Sequence, residues 1–282
     1  MDVRYEFTNQ TNKKLNSIGS LLLTTCKNSE HLKYFIVNTI EKMVNSADTM
    51  TRYRRPLVFF SNIHKDDFIF LKQDVNPKHK LPADLLFDAV NIVSFFIPFT
   101  EEIVNKNRLC CTIAEEWAIA YAETNRLIDQ ISSKLVVKLR EMSVKAAWEP
   151  PTHNFDKTTL TSMWSHKSMA KITSLGSFGL HQMIITDAGC AGRLGSLVIN
   201  AIIKPTSKRE KERCFYYIDG SCSICVESCP VGALSIEGFN KKKCWQHILE
   251  IDRSFSYLSN KYKLTGPFDV CGKCVTGPCA IL

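Results

Sequence analysis

Cys214-Phe-Tyr-Tyr-Ile-Asp-Gly-Ser-Cys222-Ser-Ile-Cys225-Val-Glu-Ser-Cys229-Pro230-Val-Gly-Ala-Leu234 is the stretch that decides the reading of this chain. Cys244, Cys271, Cys274 and Cys279 follow it. A two-residue gap between cysteines lets neighbouring thiolates reach different irons of one cube. A cysteine followed by proline is the one that ligates the other cluster when two cubes share a chain. Eight cysteines from Cys214 onward match two [4Fe–4S] clusters at four thiolates each. Zinc explains the pattern less well, because the pairs beginning at 222 and 271 lie too far apart for a ribbon and leave Cys229-Pro230 without a purpose. Disulfide staples suit small secreted domains, and a chain of 282 residues has no need of them.

The chain holds 12 cysteines, and only Cys26, Cys110, Cys111 and Cys190 precede this region. The remaining composition, 45% hydrophobic and 23% charged, supports a packed core and argues against disorder. The formal charge of +8 is modest and demands no nucleic acid. Two thiolate-bound clusters at about −2 each would lower it to about +4. The longest apolar stretch, Ala89 to Thr100, is too short to span a bilayer and carries Asn91, Ser94 and Pro98. The opening MDVRYEFTNQTNKK has no apolar signal segment, so a cytoplasmic protein is expected.

Working upstream, residues 1–205 read as an α/β (α+β) domain and 206–282 as a double [4Fe–4S] ferredoxin-like domain. Lys204–Arg213 is the charged, Pro-containing linker between them. Segments 56–62, 67–72 and 91–99 are short and rich in Phe, Val and Ile, and read as strands, the last buried on both faces. Leu15–Asn45 holds two helical stretches. A long helix opens near Thr112, where Thr112 and Glu115 fit a capping box, and its stripe Trp117, Tyr121, Ile128, Ile131, Leu135, Leu139 is core packing. It stops before Pro150-Pro151. A polar loop covers 150–160 and a short helix Ser162–Thr173. Gly176 and Gly179 mark a turn, and 181–186 and 194–203 read as a hairpin around the Gly189-Cys190-Ala-Gly192 loop.

Residues 214–234, together with W-S-H-K-S-M-A-K-I-T-S-L-G-S-F-G (164–179) and I-I-T-D-A-G-C-A-G-R-L-G-S (184–196), resemble epoxyqueuosine reductases and their shorter relatives, which are similar in fold to reductive dehalogenases. The resemblance covers about residues 85–282. It implies a crossed ligand set: Cys222, Cys225 and Cys279 on the first cluster, and Cys229 with Cys244, Cys271 and Cys274 on the second. The first cluster's fourth ligand stays open. Where the reductases have a cysteine, three residues before Cys222, this chain has Asp219; Cys214 is the natural substitute, and Asp219, an open iron or a three-iron cluster are the alternatives. Cys279 follows Cys274 by one residue more than the family spacing.

The resemblance also implies an upstream domain like the corrinoid-binding domain of those reductases, with cobalamin or another corrinoid near 164–196. Gly176 and Gly179 would allow a flat cofactor to approach, and Arg193 would pair with its polar groups. The catalytic residue is unknown. Asp156 is a weak candidate, because the reductases' acidic D-S-A-P-like segment has no counterpart. His166 is another, as proton donor, cobalt ligand or structural histidine. Cys190 reads as a small thiol, reactive or buried. Ala280-Ile-Leu282 directly follows the last candidate ligand, so the helical-repeat extension that holds tRNA is not expected, and neither is tRNA modification. The expected activity is an iron–sulfur oxidoreductase passing single low-potential electrons to a corrinoid, bound in its own domain or carried by a partner protein. The alternative is an electron-transfer module without corrinoid that docks a redox partner.

Overall fold

The computed structural model describes residues 29–207 and 211–282. The first of the two expected helical stretches and Cys26 lie outside them. In chain order the elements are α1 (29–45), β1 (Leu57–Asn62), α2 (Asp66–Phe70), α3 (Pro82–Leu85), β2 (Asn91–Pro98), α4 (Glu101–Leu109), α5 (Glu115–Glu141), β3 (Ala146–Trp148), β4 (Phe155–Asp156), β5 (Thr161–Ser162), α6 (His166–Ile172), β6 (Gly176–Phe178), β7 (Ile184–Thr186), β8 (Gly192–Ile199), α7 (Phe215–Asp219), α8 (Ile224–Glu227), α9 (Lys241–Phe255) and α10 (Leu258–Tyr262).

A four-stranded antiparallel sheet in the order β1-β2-β8-β3 forms the centre. Every residue of β2 is buried. The two-residue side-chain period explains how both faces are used. Val93, Phe95 and Ile97, with Leu197 and Ile199 of β8, face α1 (Leu32, Ile36, Ile40, Val44) and α5 (Leu127, Ile128, Ile131, Leu135, Leu139). The alternate residues Ile92 and Val198 face Phe68, Leu71, Trp164 and Met169, while Phe96 packs on Ala170, Leu175 and Ile184. The expected apolar stripe of α5 is therefore core, as all six of its residues are buried.

Four local expectations are corrected. Residues 67–72 form α2 and a single π-turn over Leu71–Val75, not a strand: Phe68 and Leu71 are buried one helical turn apart, while Ile69 is 59% exposed. Thr112 does not cap α5, which starts after Ala114, and the Ala114 N–H donates to Asn107 Oδ1 at 3.1 Å. Residues 181–203 are not a hairpin. β7 pairs with β6, whose first residue is Gly176, and β8 pairs with β2 and β3. The loop between β7 and β8 instead pairs with the end of the chain, the Cys190 N–H donating to the Cys279 carbonyl at 2.9 Å and the Ala191 N–H to that of Ala280 at 3.1 Å. Finally, the helix expected over Ser162–Thr173 is α6, His166–Ile172, capped by Ser165, and Ser162 belongs to β5; α5 ends at Glu141, ahead of Pro150-Pro151 as expected, leaving room for β3, whose three residues carry too little alternation to be read as a strand.

The cysteine-bearing segment shares a core with the upstream elements. Phe99, Val104, Trp117 and Ala120 pack in one cluster with Cys214, Cys225, Leu234, Ile251, Val275 and Ala280.

Candidate metal centre

Folding gathers the eight cysteines from both ends of the segment. Cys214 stands at the N-cap of α7, Cys225 lies in α8, Cys244 in α9, and Cys274 in a 3₁₀ turn over Lys273–Val275. One small cavity is lined by Cys214, Cys222, Cys225, Cys274 and Cys279, together with His181. Burial pushes the Cys225 thiol up to about 11, and the nearby Cys279, Cys214 and Cys222 thiols add to the shift. Burial likewise pushes Cys244 up to about 11, with Cys271 and Cys229 adding to it. Cys271 is raised by burial and, more weakly, by Cys229. Cys274 is raised by burial and then chiefly by Cys271 and Cys244, with smaller contributions from Cys225 and Cys229. Cys214, Cys222, Cys225 and Cys279 thus neighbour one another around the cavity, Cys229, Cys244 and Cys271 neighbour one another beside it, and Cys274 adjoins both groups. Thiols raised in this way by burial and by one another ionise more readily beside a cation, so the group is a candidate metal-thiolate site.

Asp219 is exposed at the end of α7, where its Oδ1 accepts the Ser221 N–H at 2.9 Å, and it does not line the cavity. Cys214 does, and its sulfur lies 3.4 Å from the Leu180 N–H that donates to it. In the other set the Cys229 sulfur accepts the Ala233 N–H at 3.1 Å. Lys167 stands beside Cys244 and Cys274 and donates to the Gln182 carbonyl at 3.0 Å; burial, with Lys241 adding to it, brings its ammonium down to about 8.

The corner between α4 and α5 holds the Cys271–Cys274 loop. Asn107 Nδ2 donates to the Cys271 carbonyl at 3.1 Å, and the buried Lys273 ammonium donates to the Asn107 and Cys110 carbonyls at the end of α4. That places a cation where the helix dipole is negative. Gly272, at φ +70°, lies flat on the Trp117 indole: a Cβ there would come within 2.2 Å of the ring.

Three residues near the first set have contacts that the sequence reading did not give them. The Cys190 sulfur is 3.7 Å from the Cys279 sulfur, and His181 Nε2 is 3.5 Å from it. These contacts, Cys190 first, hold the Cys279 thiol below the usual thiol range. Gly189, at φ +92°, lets the loop lie against the Ala280 backbone. Cys190 carried a signal as a buried cysteine in a glycine loop. His181 carried none, since its role depends on a contact 98 residues away.

The residues expected to bind a corrinoid are used internally. A Cβ on Gly176 would lie 2.5 Å from Ile184, and one on Gly179 2.8 Å from both His181 and Ile185. Arg193 donates to Asn125 Oδ1 at 3.0 Å and stacks 4.4 Å from the centre of the Tyr121 ring. The two acid–base candidates are also engaged. Asp156 accepts the backbone N–H groups of Thr158 and Thr159 at an exposed turn. His166 is buried, with Nδ1 2.7 Å from Ser196 Oγ and Nε2 3.1 Å from the Pro150 carbonyl, and burial holds its pKa down at about 4. A second cavity, of about 600 Å³, is lined by Asp48, Met50, Glu123, Arg126 and Tyr262, none of them expected from the sequence. No helix among the described residues is long and apolar enough to cross a membrane.

No family model matches the sequence, and no curated protein matches it. Among solved structures, the chain is similar to epoxyqueuosine reductase from Streptococcus thermophilus, at 17% identity and a TM-score of 0.53, over 85% of this chain and 64% of that one. It is also similar to an epoxyqueuosine reductase solved with an epoxyqueuosine-modified tRNA-Tyr stem loop, at 16% identity and a TM-score of 0.51, over 79% of this chain and 58% of that one. The chain thus spans about three fifths of the length of those structures. At this low identity the likeness is one of architecture, and the chain has an epoxyqueuosine reductase-like fold.

Proposed function

We propose that the chain is an iron–sulfur oxidoreductase that holds two [4Fe–4S] clusters and relays single electrons between them. What supports this reading is one cavity lined by Cys214, Cys222, Cys225, Cys274 and Cys279, with the Cys229, Cys244 and Cys271 thiols as further neighbours of one another and of Cys274. Cys214, Cys222, Cys225 and Cys279 would hold the first cluster, and Cys229, Cys244, Cys271 and Cys274 the second. The clusters supply one-electron chemistry at low potential. The protein supplies burial, which excludes water, backbone N–H donors at Cys214 and Cys229, and the Lys167 cation beside the second set. The α4–α5 corner and the loop at Gly189 fix the two ends of the ligand-bearing chain. Thiolate ligation of this kind suits a reducing compartment such as the cytoplasm.

Gly176, Gly179 and Arg193 each contact the protein's own residues, so their surroundings lend no support to a corrinoid held there. We therefore place the electron donor and acceptor on partner proteins, a corrinoid protein among the candidate acceptors. The test is EPR of anaerobically reduced protein, wild type and Cys229→Ser. The variant is expected to lose the second cluster while keeping much of the first; equal loss of both in a folded protein would contradict the crossed set. Titration with cob(II)alamin is expected to leave the free-cobalamin spectrum unchanged. A stoichiometric change to a base-off spectrum would instead put a corrinoid site in this chain.

A further inference from the structure

We propose that Cys190 and His181 are tuning residues of the first cluster, donating two hydrogen bonds to the Cys279 ligand sulfur and so raising that cluster's reduction potential above the value its four thiolates alone would set. The inference rests on the two-cluster reading and concerns this chain's own residues around one ligand atom.

The geometry is fixed on three sides. The Cys190 sulfur lies 3.7 Å from the Cys279 sulfur, within reach of an S–H···S bond, and 3.8 Å from the Val275 carbonyl. A ligand sulfur with thiolate character is the better acceptor of the two, because a hydrogen bond to an ionised group is the stronger. The backbone holds this pair in place: the Cys190 N–H donates to the Cys279 carbonyl at 2.9 Å, and the next pair, Ala191 to Ala280, repeats the bond. On the other side, the tautomer of His181 follows from its neighbours. The Met183 N–H, which can only donate, lies 3.1 Å from Nδ1, so Nδ1 carries the lone pair. The neutral ring then carries its proton on Nε2, which faces the Cys279 sulfur at 3.5 Å. Gly179 makes room for this ring, since a Cβ there would stand 2.8 Å from His181 Cε1. Cys190 and His181 are 2% and 4% exposed, so water does not compete for these two donors.

Electron density drawn from a ligand sulfur stabilises the reduced, more negative cluster, and hydrogen bonds to sulfur are among the factors that set cluster potentials. Cys279 is the sulfur with two side-chain donors; at Cys214 and Cys229 the donors are single backbone N–H groups. Side-chain donors can be removed one at a time, which makes the inference testable.

The experiment is a potentiometric titration followed by EPR on the anaerobically purified holoprotein, with the two signals assigned through Cys229→Ser. Cys190→Ala and His181→Phe are each expected to lower the midpoint of the first cluster, the double variant more than either, while the second cluster's midpoint stays in place. Cys190→Ser, which keeps a donor, is expected to hold the wild-type value. Unmoved midpoints in variants with both clusters intact would overturn the inference, as would equal shifts of both clusters. Should Cys190→Ala fail to retain the first cluster, His181→Phe and Cys190→Ser still read the two donors separately. A wild-type protein without iron–sulfur signals would refute the underlying cluster reading instead.

Discussion

Replacing Gly189 by alanine probes how residues 279–280 are held to the loop between β7 and β8. Gly189 sits at φ +92°, where a side chain costs about 1–2 kcal/mol of backbone strain. Its Cβ would stand 2.2 Å from the Ala280 carbonyl oxygen and 2.5 Å from the carbonyl carbon. Ordinary contact begins at 3.4 Å, so backbone must retreat by about 1 Å, and no rotamer can relieve it. That retreat breaks the Cys190–Cys279 and Ala191–Ala280 backbone bonds, worth about 0.5–1.5 kcal/mol each. The sum is about 2–5 kcal/mol, concentrated beside Cys279. The assay is anaerobic urea unfolding of the holoprotein, followed by visible cluster absorbance and far-UV circular dichroism, with iron content measured beforehand. The expected result is a lower midpoint and a selective loss of first-cluster iron. A loss of stability under about 1 kcal/mol with both clusters retained would show that the 189–191 loop does not anchor Cys279.

Other expectations concern the scaffold. Lys273→Met removes the cation from the buried Asn107 and Cys110 carbonyls and should cost about 2–3 kcal/mol, with second-cluster iron lost first; urea midpoints and iron analysis check this. Leu135→Ala, in the core between α5 and the sheet, should cost about 2–5 kcal/mol and leave the ratio of iron to sulfide unchanged. Asp129, on α5, has a buried Oδ1 without a partner among the described residues, and burial pushes its carboxyl up to about 6 from 3.8. The folded state therefore holds this proton more tightly than the unfolded state, and the contribution to stability falls as pH rises through about 4 to 6. Asp129→Asn should stabilise the protein by about 1–2 kcal/mol at about pH 8, after allowance for solvent screening of a half-buried group, and by less at about pH 5. Thermal unfolding across that range reads the sign directly.

What was legible in the cysteine region is local spacing: Cys222, Cys225 and Cys229 lie within eight residues of one another and Cys229 precedes Pro230, and the structure adds that Cys214 and Cys279 share a cavity with Cys222 and Cys225. The strands β1 and β2 and the buried face of α5 were legible for a similar reason, as their periodicity is written in consecutive residues. The segment 67–72 was not, since a run of six mostly apolar residues fits a strand or a helix equally until burial shows which side chains turn inward. The hairpin expectation failed because the partner of the 187–191 loop is the far end of the chain, a pairing no local pattern records. Gly176, Gly179 and Arg193 show the limit of reading function from residue type. A glycine chosen for close packing on Ile184 or His181 looks the same in sequence as one cleared for a cofactor. Likewise, an arginine stacked on Tyr121 looks the same as one awaiting a ligand.

The central claim, two clusters held by eight cysteines, is tested most directly by iron and acid-labile sulfide analysis of anaerobically purified protein, combined with Mössbauer spectroscopy. The account predicts about eight irons and about eight sulfides per chain, all in cubane sites with complete thiolate ligation. A chain that binds zinc without sulfide, or that saturates at about four irons with Cys229, Cys244, Cys271 and Cys274 free to alkylation, would contradict it.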